Sequence, residues 1–200
     1  SIARDYPDLR VVPIAADFTK PFALPDDIAQ GHKVGFFPGS TIGNFNKDEA
    51  TEFLTHAARL LGDGGGLLIG ADLKKDPQII NAAYNDKEGI TEAFILNLLR
   101  RVNREIGGTF DARKFGYEAS YNADAGRAEI FLVSREKQSV RVDGEIFHFG
   151  ADERIHVENS HKYGIDEFQG IARQAGFAPQ KHWVDAKNLF SIHYLAVLSA

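Results

Sequence analysis

Residues 33–45 read KVGFFPGSTIGNF, an apolar run that breaks at Pro38 and Gly39 and passes through small polar residues before Asn46. Apolar runs this short, bounded by Gly or Pro, read as strands buried in a sheet. Asn46 with Glu49 three residues later makes a capping box, Phe53, Leu54, Ala57, Leu60 and Leu61 recur at helical spacing, and Gly62 supplies the stop. Residues 67–71 (LLIGA) then make a second strand. Strand, loop, helix and strand over this distance form a βαβ unit. The expected core is therefore α/β, with a parallel sheet and a right-handed crossover.

Outward from that unit, residues 11–16 (VVPIAA) end at Asp17 and read as a further buried strand, weakened slightly by Pro13. Residues 82–106 read as one helix with Phe94, Leu98, Leu99, Val102 and Ile106 on a common face and Gly107-Gly108 ending it. Residues 128–133, 139–142 and 145–149 alternate like antiparallel strands, with Asp143-Gly144 as a hairpin turn between the last two. The span 77–163 is thus expected to be an inserted α+β subdomain, and 1–76 with 164–200 the α/β core. That core closes with a helix carrying Ile165, Phe168, Ile171, Ala172 and Ala175, stopped by Gly176, and with strands at 181–184 and 190–198.

The 200 residues are 44% hydrophobic and 26% charged, close to folded-domain averages, which sets disorder aside. Net charge is −5 with Lys and Arg scattered, so there is no footprint for nucleic acid or an anionic membrane. No run of about 18 apolar residues and no signal segment occurs, and the cytoplasm is the expected location. Absence of Cys removes disulfides, thiolate ligands and a Cys nucleophile. His156 and His161, the nearest pair among seven His, are five apart with no third ligand nearby, so no metal site is expected. Residues 64–66 are all Gly but precede a strand, which suits a turn better than a dinucleotide loop. The chain opens at Ser1 without any Met and reads as trimmed.

Four places carry residues suited to chemistry. Asp17-Phe18 follows a candidate strand, where a carboxylate can accept from a ribose or adenine and an aromatic can cover a base; Asp17 equally reads as a turn cap. The loop in residues 36–45 sets backbone N–H groups and the Asn44 amide at the sheet's ligand edge, or is an ordinary turn using Gly39 and Gly43. Tyr84 opens the inserted subdomain with a hydroxyl that both donates and accepts, suited to an amine and a carboxylate together, although a tyrosine at a helix is often a packing residue. In VENSHKY (157–163), Glu158 and Ser160 share a side if the stretch is extended, and a lone Glu also reads as a solvated acid.

Taken together, FFPGSTIGNF (36–45), LLIGADLKKD (67–76), AAYNDKEGITEAF (82–94), NLLRRVNREIGGTFD (97–111) and ENSHKY (158–163) resemble the histidine-specific methyltransferase family of ergothioneine biosynthesis, the L-histidine Nα-methyltransferases. The resemblance implies a Rossmann-like methyltransferase sheet, S-adenosyl-L-methionine as cofactor and a free amino acid as small-molecule substrate, with no nucleic-acid or membrane partner. It implies that Asp17 and Phe18, with Gly39 and Ser40, contact the cofactor. Asn44 and Tyr84 match residues holding the α-amino and carboxylate groups, and Glu158 and Ser160 the pair that reads the imidazole. Tyr84 is then expected to be catalytic, orienting the amine and helping to remove its proton. Two departures stand out. The family's glycine-rich cofactor loop and the strand after it fall before Ser1, so the sheet is expected to lack its first strands, and Ile130 stands where members carry Met. The alternatives are an N-methyltransferase of another amino acid and a truncated, non-catalytic fragment.

Overall fold

The computed structural model describes residues 2–26, 28 and 31–199. In chain order they form α1 (Ile2–Asp5), β1 (Val34–Phe37), a 3-10 turn (Thr41–Asn44), α2 (Lys47–Leu61), β2 (Gly66–Asp72), α3 (Pro77–Tyr84) and α4 (Ile90–Ile106). There follow β3 (Phe115–Asn122), β4 (Arg127–Ser134), β5 (Gln138–Val142), β6 (Glu145–Phe149), β7 (Arg154–His161), α5 (Ile165–Gln174), β8 (Phe177–Val184) and β9 (Phe190–Val197).

The first sheet has the order β1-β2-β9-β8. Strands β1 and β2 are parallel, with Val34 opposite Gly66, and β9 runs antiparallel between β2 and β8. The crossover helix α2 begins as its residues dictate: the Asn46 side chain accepts the N–H groups of Asp48 and Glu49 at 3.0 Å each, and the Glu49 carboxylate accepts that of Asn46 at 2.8 Å. Its inner stripe, Ala50, Leu54, Ala58 and Leu61, packs with Phe168, Ile171 and Ala172 of α5 against Leu67, Ile69, Ala71 and Leu195 of the sheet. Burial of each Leu, Ile or Phe there contributes about 2 kcal/mol.

A second core, built from Ile80, Ile95, Leu99, Phe115, Ala128, Ile130, Leu132 and Val140, lies wholly between α3 and β7. It joins α3 and α4 to the antiparallel sheet β3-β4-β7, beside the hairpin β5-β6. Asp143 and Gly144 make the hairpin turn with φ of 47° and 84°, as a two-residue turn with left-handed residues requires.

Three expectations are corrected. Residues 11–16 form no strand and are exposed throughout. Among the described residues the only sheet neighbour of β1 is β2, so no described strand borders this segment, and an extended run with no partner leaves its N–H and C=O groups to water. Residues 82–106 are two helices: the Asp86 carboxylate accepts the N–H groups of Ile90 (2.7 Å) and Thr91 (2.9 Å), and Gly89 at φ 67° ends the intervening turn. The inward face of α4 is Ile95 and Leu99, while Phe94 is 68% exposed and Ile106 52%. Strand β3 had no sequence signal, because FGYEASYN mixes small and polar residues without clean alternation.

One buried side chain makes the core sensitive to acid. His193 in β9 is fully buried, with its ring 4.7 Å from that of Phe168. Ser191 spends its hydroxyl hydrogen on the carbonyl of Ala71 (3.1 Å), so it accepts from Nε2–H of His193 at 2.9 Å, and Nδ1 is left buried without a partner. Burial, with a smaller contribution from His182, pushes the imidazole down from 6.5 to about 4. The unfolded chain takes up this proton near pH 6.5 and the folded chain does not, so stability declines as pH falls from 6.5 toward 4. The loss reaches on the order of 3 kcal/mol. Urea unfolding of wild type and His193→Phe across that window is expected to show the wild-type slope flattened in the variant.

Candidate functional site

The site lies at the carboxyl ends of β1 and β2, where ligands of open α/β sheets bind. Beyond β1 the chain turns through Pro38 and Gly39 to Ser40, a non-glycine residue at φ 56°, whose hydroxyl accepts the Asp72 N–H at 2.8 Å. Beyond β2 a bridge links Leu73 to Tyr163, and Tyr163 N–H donates to the Asp72 carbonyl at 2.9 Å. The end of β7 is thereby fastened to the end of β2. Tyr163 also donates its hydroxyl to the Ile42 carbonyl (3.2 Å), tying down the 3-10 turn. Gly43 in that turn packs so closely that a Cβ would stand 2.8 Å from the His161 carbonyl and 3.6 Å from the Ser160 hydroxyl, which sets the neighbouring Asn44 beside β7.

At the centre is Lys162, whose side chain is 2% exposed. Its ammonium donates to the Tyr84 hydroxyl (2.8 Å), the Ser160 hydroxyl (2.8 Å) and the Asp72 carboxylate (2.9 Å), and lies 4.9 Å from the centre of the Tyr84 ring. Asp72 is paired on its other oxygen with Lys75, which also donates to the Leu189 carbonyl at 2.8 Å. A buried ammonium is tolerable only when paired and hydrogen-bonded, and here all three N–H groups are used. Neither Lys162 nor Asp72 was singled out from the sequence, though a signal existed. The alternation that puts Glu158 and Ser160 on one side of an extended strand carries on to Lys162.

Glu158 lies opposite Ile130 across the β4-β7 pair, and Ser160 opposite Ala128. Glu158 is partly exposed, and its carboxylate has no hydrogen bond or ion pair among the described residues. Tyr117 stands nearby and donates its hydroxyl to the Tyr84 carbonyl at 2.6 Å, holding the end of α3. Burial first, then neighbouring acidic groups that include Asp86 and Glu158, pushes the Tyr117 phenol up to about 12. The structure therefore brings Tyr84 and Ser160 to one ammonium, with the carboxylate of Glu158 two residues from Ser160 along β7. Asn44 borders them through Gly43, is exposed, and makes no side-chain bond to Tyr84 or Glu158.

Asp17, Phe18 and Gly39 lie toward β1, whereas Ser40 meets the cluster at the Asp72 N–H. The Phe18 ring, 48% exposed, packs against Phe37 (5.9 Å) and Phe53 (6.2 Å). Asp17 caps its own turn, accepting from the Thr19 hydroxyl (2.6 Å) and N–H (3.1 Å), bonds that hold its carboxyl below the usual range. A Cβ on Gly39 would meet only the Thr41 hydroxyl, at 3.9 Å, so a ligand can approach that backbone. An aromatic plate, an exposed carboxylate and an open backbone fit the nucleoside end of an adenosyl cofactor. The Ser40 hydroxyl accepts the Asp72 N–H, which fixes the loop and leaves the hydroxyl hydrogen to donate. An apolar groove of about 590 Å³, lined by Phe18, Phe36, Phe37 and Phe53, runs between residues 18–24, β1 and α2, and includes neither Tyr84 nor Glu158. Among the described residues no cluster of metal-ligating side chains occurs, and no helix is long and apolar enough to cross a membrane.

The family profile described as "Histidine-specific methyltransferase, SAM-dependent" matches residues 1–197. The histidine N-alpha-methyltransferase of Mycolicibacterium smegmatis is 34% identical over 195 residues, 96% of this chain and 60% of that protein. The protein of the same name from Mycobacterium tuberculosis is 31% identical over 198 residues, 98% of this chain and 61% of its own length. Ergothioneine biosynthesis protein 1 of Neurospora crassa is 38% identical over 162 residues, 79% of this chain and 18% of that protein. The chain thus spans about 60% of the length of these bacterial relatives.

Proposed function

The chain belongs to the histidine-specific, S-adenosylmethionine-dependent methyltransferase family, and on that premise we propose that the protein methylates the α-amino nitrogen of L-histidine, up to the trimethyl betaine. The observation that carries this reading is Glu158, a carboxylate with no partner among the described residues, two residues from Ser160 on the same face of β7. An unpaired carboxylate on the same face as the Ser160 hydroxyl is an acceptor open to a ligand donor. An imidazole N–H is such a donor, and Ser160 can serve the other ring nitrogen.

S-adenosylmethionine, when bound, supplies a methyl group activated on a sulfonium. This chain's residues have to present an amine lone pair in line with it and keep the reacting atoms from water. An α-amine titrates near ~8 and is mostly protonated at pH 7, so a site that desolvates it favours the reactive free base. Asn44 offers an amide oxygen to amine hydrogens and an amide NH₂ to the carboxylate. Tyr84 accepts from Lys162 and keeps its hydroxyl hydrogen to orient the amino-acid head group, beside the part in removing the amine proton that the resemblance implies. Asp17, Phe18 and Gly39 would hold the adenosyl end of the cofactor. Cytoplasmic location and a free amino acid as the small-molecule partner go with this reading.

Calorimetric titration of L-histidine into the full-length protein, with S-adenosylhomocysteine present, tests it. Saturable binding of histidine, with leucine and glutamine silent, is the expected result. Equal responses to all three, or none, would remove the basis for histidine as substrate.

A further inference from the structure

We propose that Lys162 is a positioning residue that fixes the hydrogen-bond polarity of the site, turning the Tyr84 and Ser160 hydroxyls outward as donors so that the site takes the neutral imidazole of its ligand. The proposal rests on the histidine reading above and adds the protonation state in which the ring is held.

The ammonium of Lys162 has three hydrogens and three acceptors within 2.9 Å: the Tyr84 hydroxyl, the Ser160 hydroxyl and the Asp72 carboxylate. It has none left for a ligand. Each hydroxyl receives a hydrogen from Lys162 and keeps one of its own, and neither hydroxyl donates to a protein acceptor among the described residues. A ligand N–H directed at Ser160 would have to take its second lone pair and leave the hydroxyl hydrogen without an acceptor, at a cost of about tenfold in affinity. A bare ring nitrogen meets no such penalty.

Along β7 the pattern is acceptor at Glu158 and donor at Ser160, with the buried ammonium of Lys162 just past the strand's end. The first two stand about 7 Å apart along the strand, a span that an imidazole hydrogen-bonded at both nitrogens bridges. One ring nitrogen then carries its hydrogen toward Glu158 and the other is bare toward Ser160. Asp72 matters because it holds the ammonium at the sheet edge, and its second oxygen is secured by Lys75. Without that anchor Lys162 could turn to the ligand carboxylate and release both hydroxyls.

Two measurements test the assignment. In the wild-type full-length protein, ¹⁵N NMR of ring-labelled histidine in the bound state is expected to show one protonated and one bare nitrogen, persisting about one pH unit below the ~6.5 at which the free ring titrates. A bound ring protonated on both nitrogens at neutral pH overturns the proposal without any variant. Absence of bound histidine signal would remove the underlying substrate reading, and this proposal with it. Kinetically, Lys162→Met is expected to raise KM for histidine about 30-fold with kcat changed less than about threefold, the effect of loosening two charge-assisted bonds. In a background that already carries Tyr84→Phe and Ser160→Ala, the same substitution is expected to cost less than about threefold, since Lys162 acts through those hydroxyls. An equal KM penalty in both backgrounds would mark Lys162 as a structural ion only.

Discussion

Glu158→Ala in the full-length protein is expected to lower kcat/KM for histidine by on the order of a thousandfold, while leaving the melting temperature nearly unchanged. The two halves of this result have one cause. A carboxylate with no hydrogen bond or ion pair among the described residues contributes little to folding, so alanine in its place is expected to leave stability nearly unchanged. The same carboxylate is the acceptor for which a ring N–H is proposed, and a site built around a buried hydrogen-bonding group loses several orders of magnitude in discrimination when that pairing is lost. Glu158→Gln separates charge from shape, because its amide oxygen can still accept but is free to present NH₂ instead. It is expected to fall between wild type and alanine. A melting temperature that drops by several degrees in Glu158→Ala would show that the carboxylate supports the fold and would undo the binding role.

Gly70→Ala is expected to unfold or strongly destabilise the protein, by more than about 3 kcal/mol. A Cβ at Gly70 would stand 2.1 Å from the Pro38 carbonyl oxygen, 2.8 Å from its carbon and 2.7 Å from the Phe190 ring. The ring could yield, but the Pro38 backbone cannot without dragging Gly39 and Ser40, and with them the bond from Asp72 N–H to the Ser40 hydroxyl. Gly170 in α5 makes the contrast, since a Cβ there meets nothing within 4 Å. Gly170→Ala is expected to stabilise by up to about 1 kcal/mol through helix propensity alone. Guanidinium unfolding of the two variants beside wild type checks both signs, and a folded Gly70→Ala of near-normal stability would mean that the loop after β1 does not cross the strand as closely as described.

The parts of this fold that could be read in advance are those governed by local chemistry. Asn46 and Glu49 start α2 because their side chains satisfy each other's backbone N–H groups within one turn. Asp143 and Gly144 turn the hairpin because the chain reverses there in left-handed backbone. What stayed hidden depends on distant partners or on a choice among equivalent local options. The apolar run at 11–16 looks like a strand but has no described neighbour with which to pair. The helical rhythm of 82–106 continues through a break at 85–89 that one carboxylate, Asp86, creates by capping the second helix.

The candidate site divides in the same way. Glu158 and Ser160 share a face by strand alternation, which the residues alone suggested. Their convergence with Tyr84, some 75 positions earlier in the chain, depends on Lys162 and Asp72. Alternation puts Lys162 on the side of Glu158 and Ser160, but a lysine in a polar stretch gives no sign that its ammonium will be buried between two cores. Only the tie from Tyr163 to the end of β2 brings it there.

The central claim is that one cluster of side chains at this sheet edge selects a histidine and presents its α-amine for methylation. The most direct measurement is transfer of labelled methyl from S-adenosylmethionine by the full-length protein, offered each of the twenty amino acids separately. Label appearing on the α-nitrogen of histidine, at a rate at least about a hundredfold above any other amino acid, is the predicted outcome. Faster labelling of an amino acid whose side chain has no N–H to give Glu158 would contradict it.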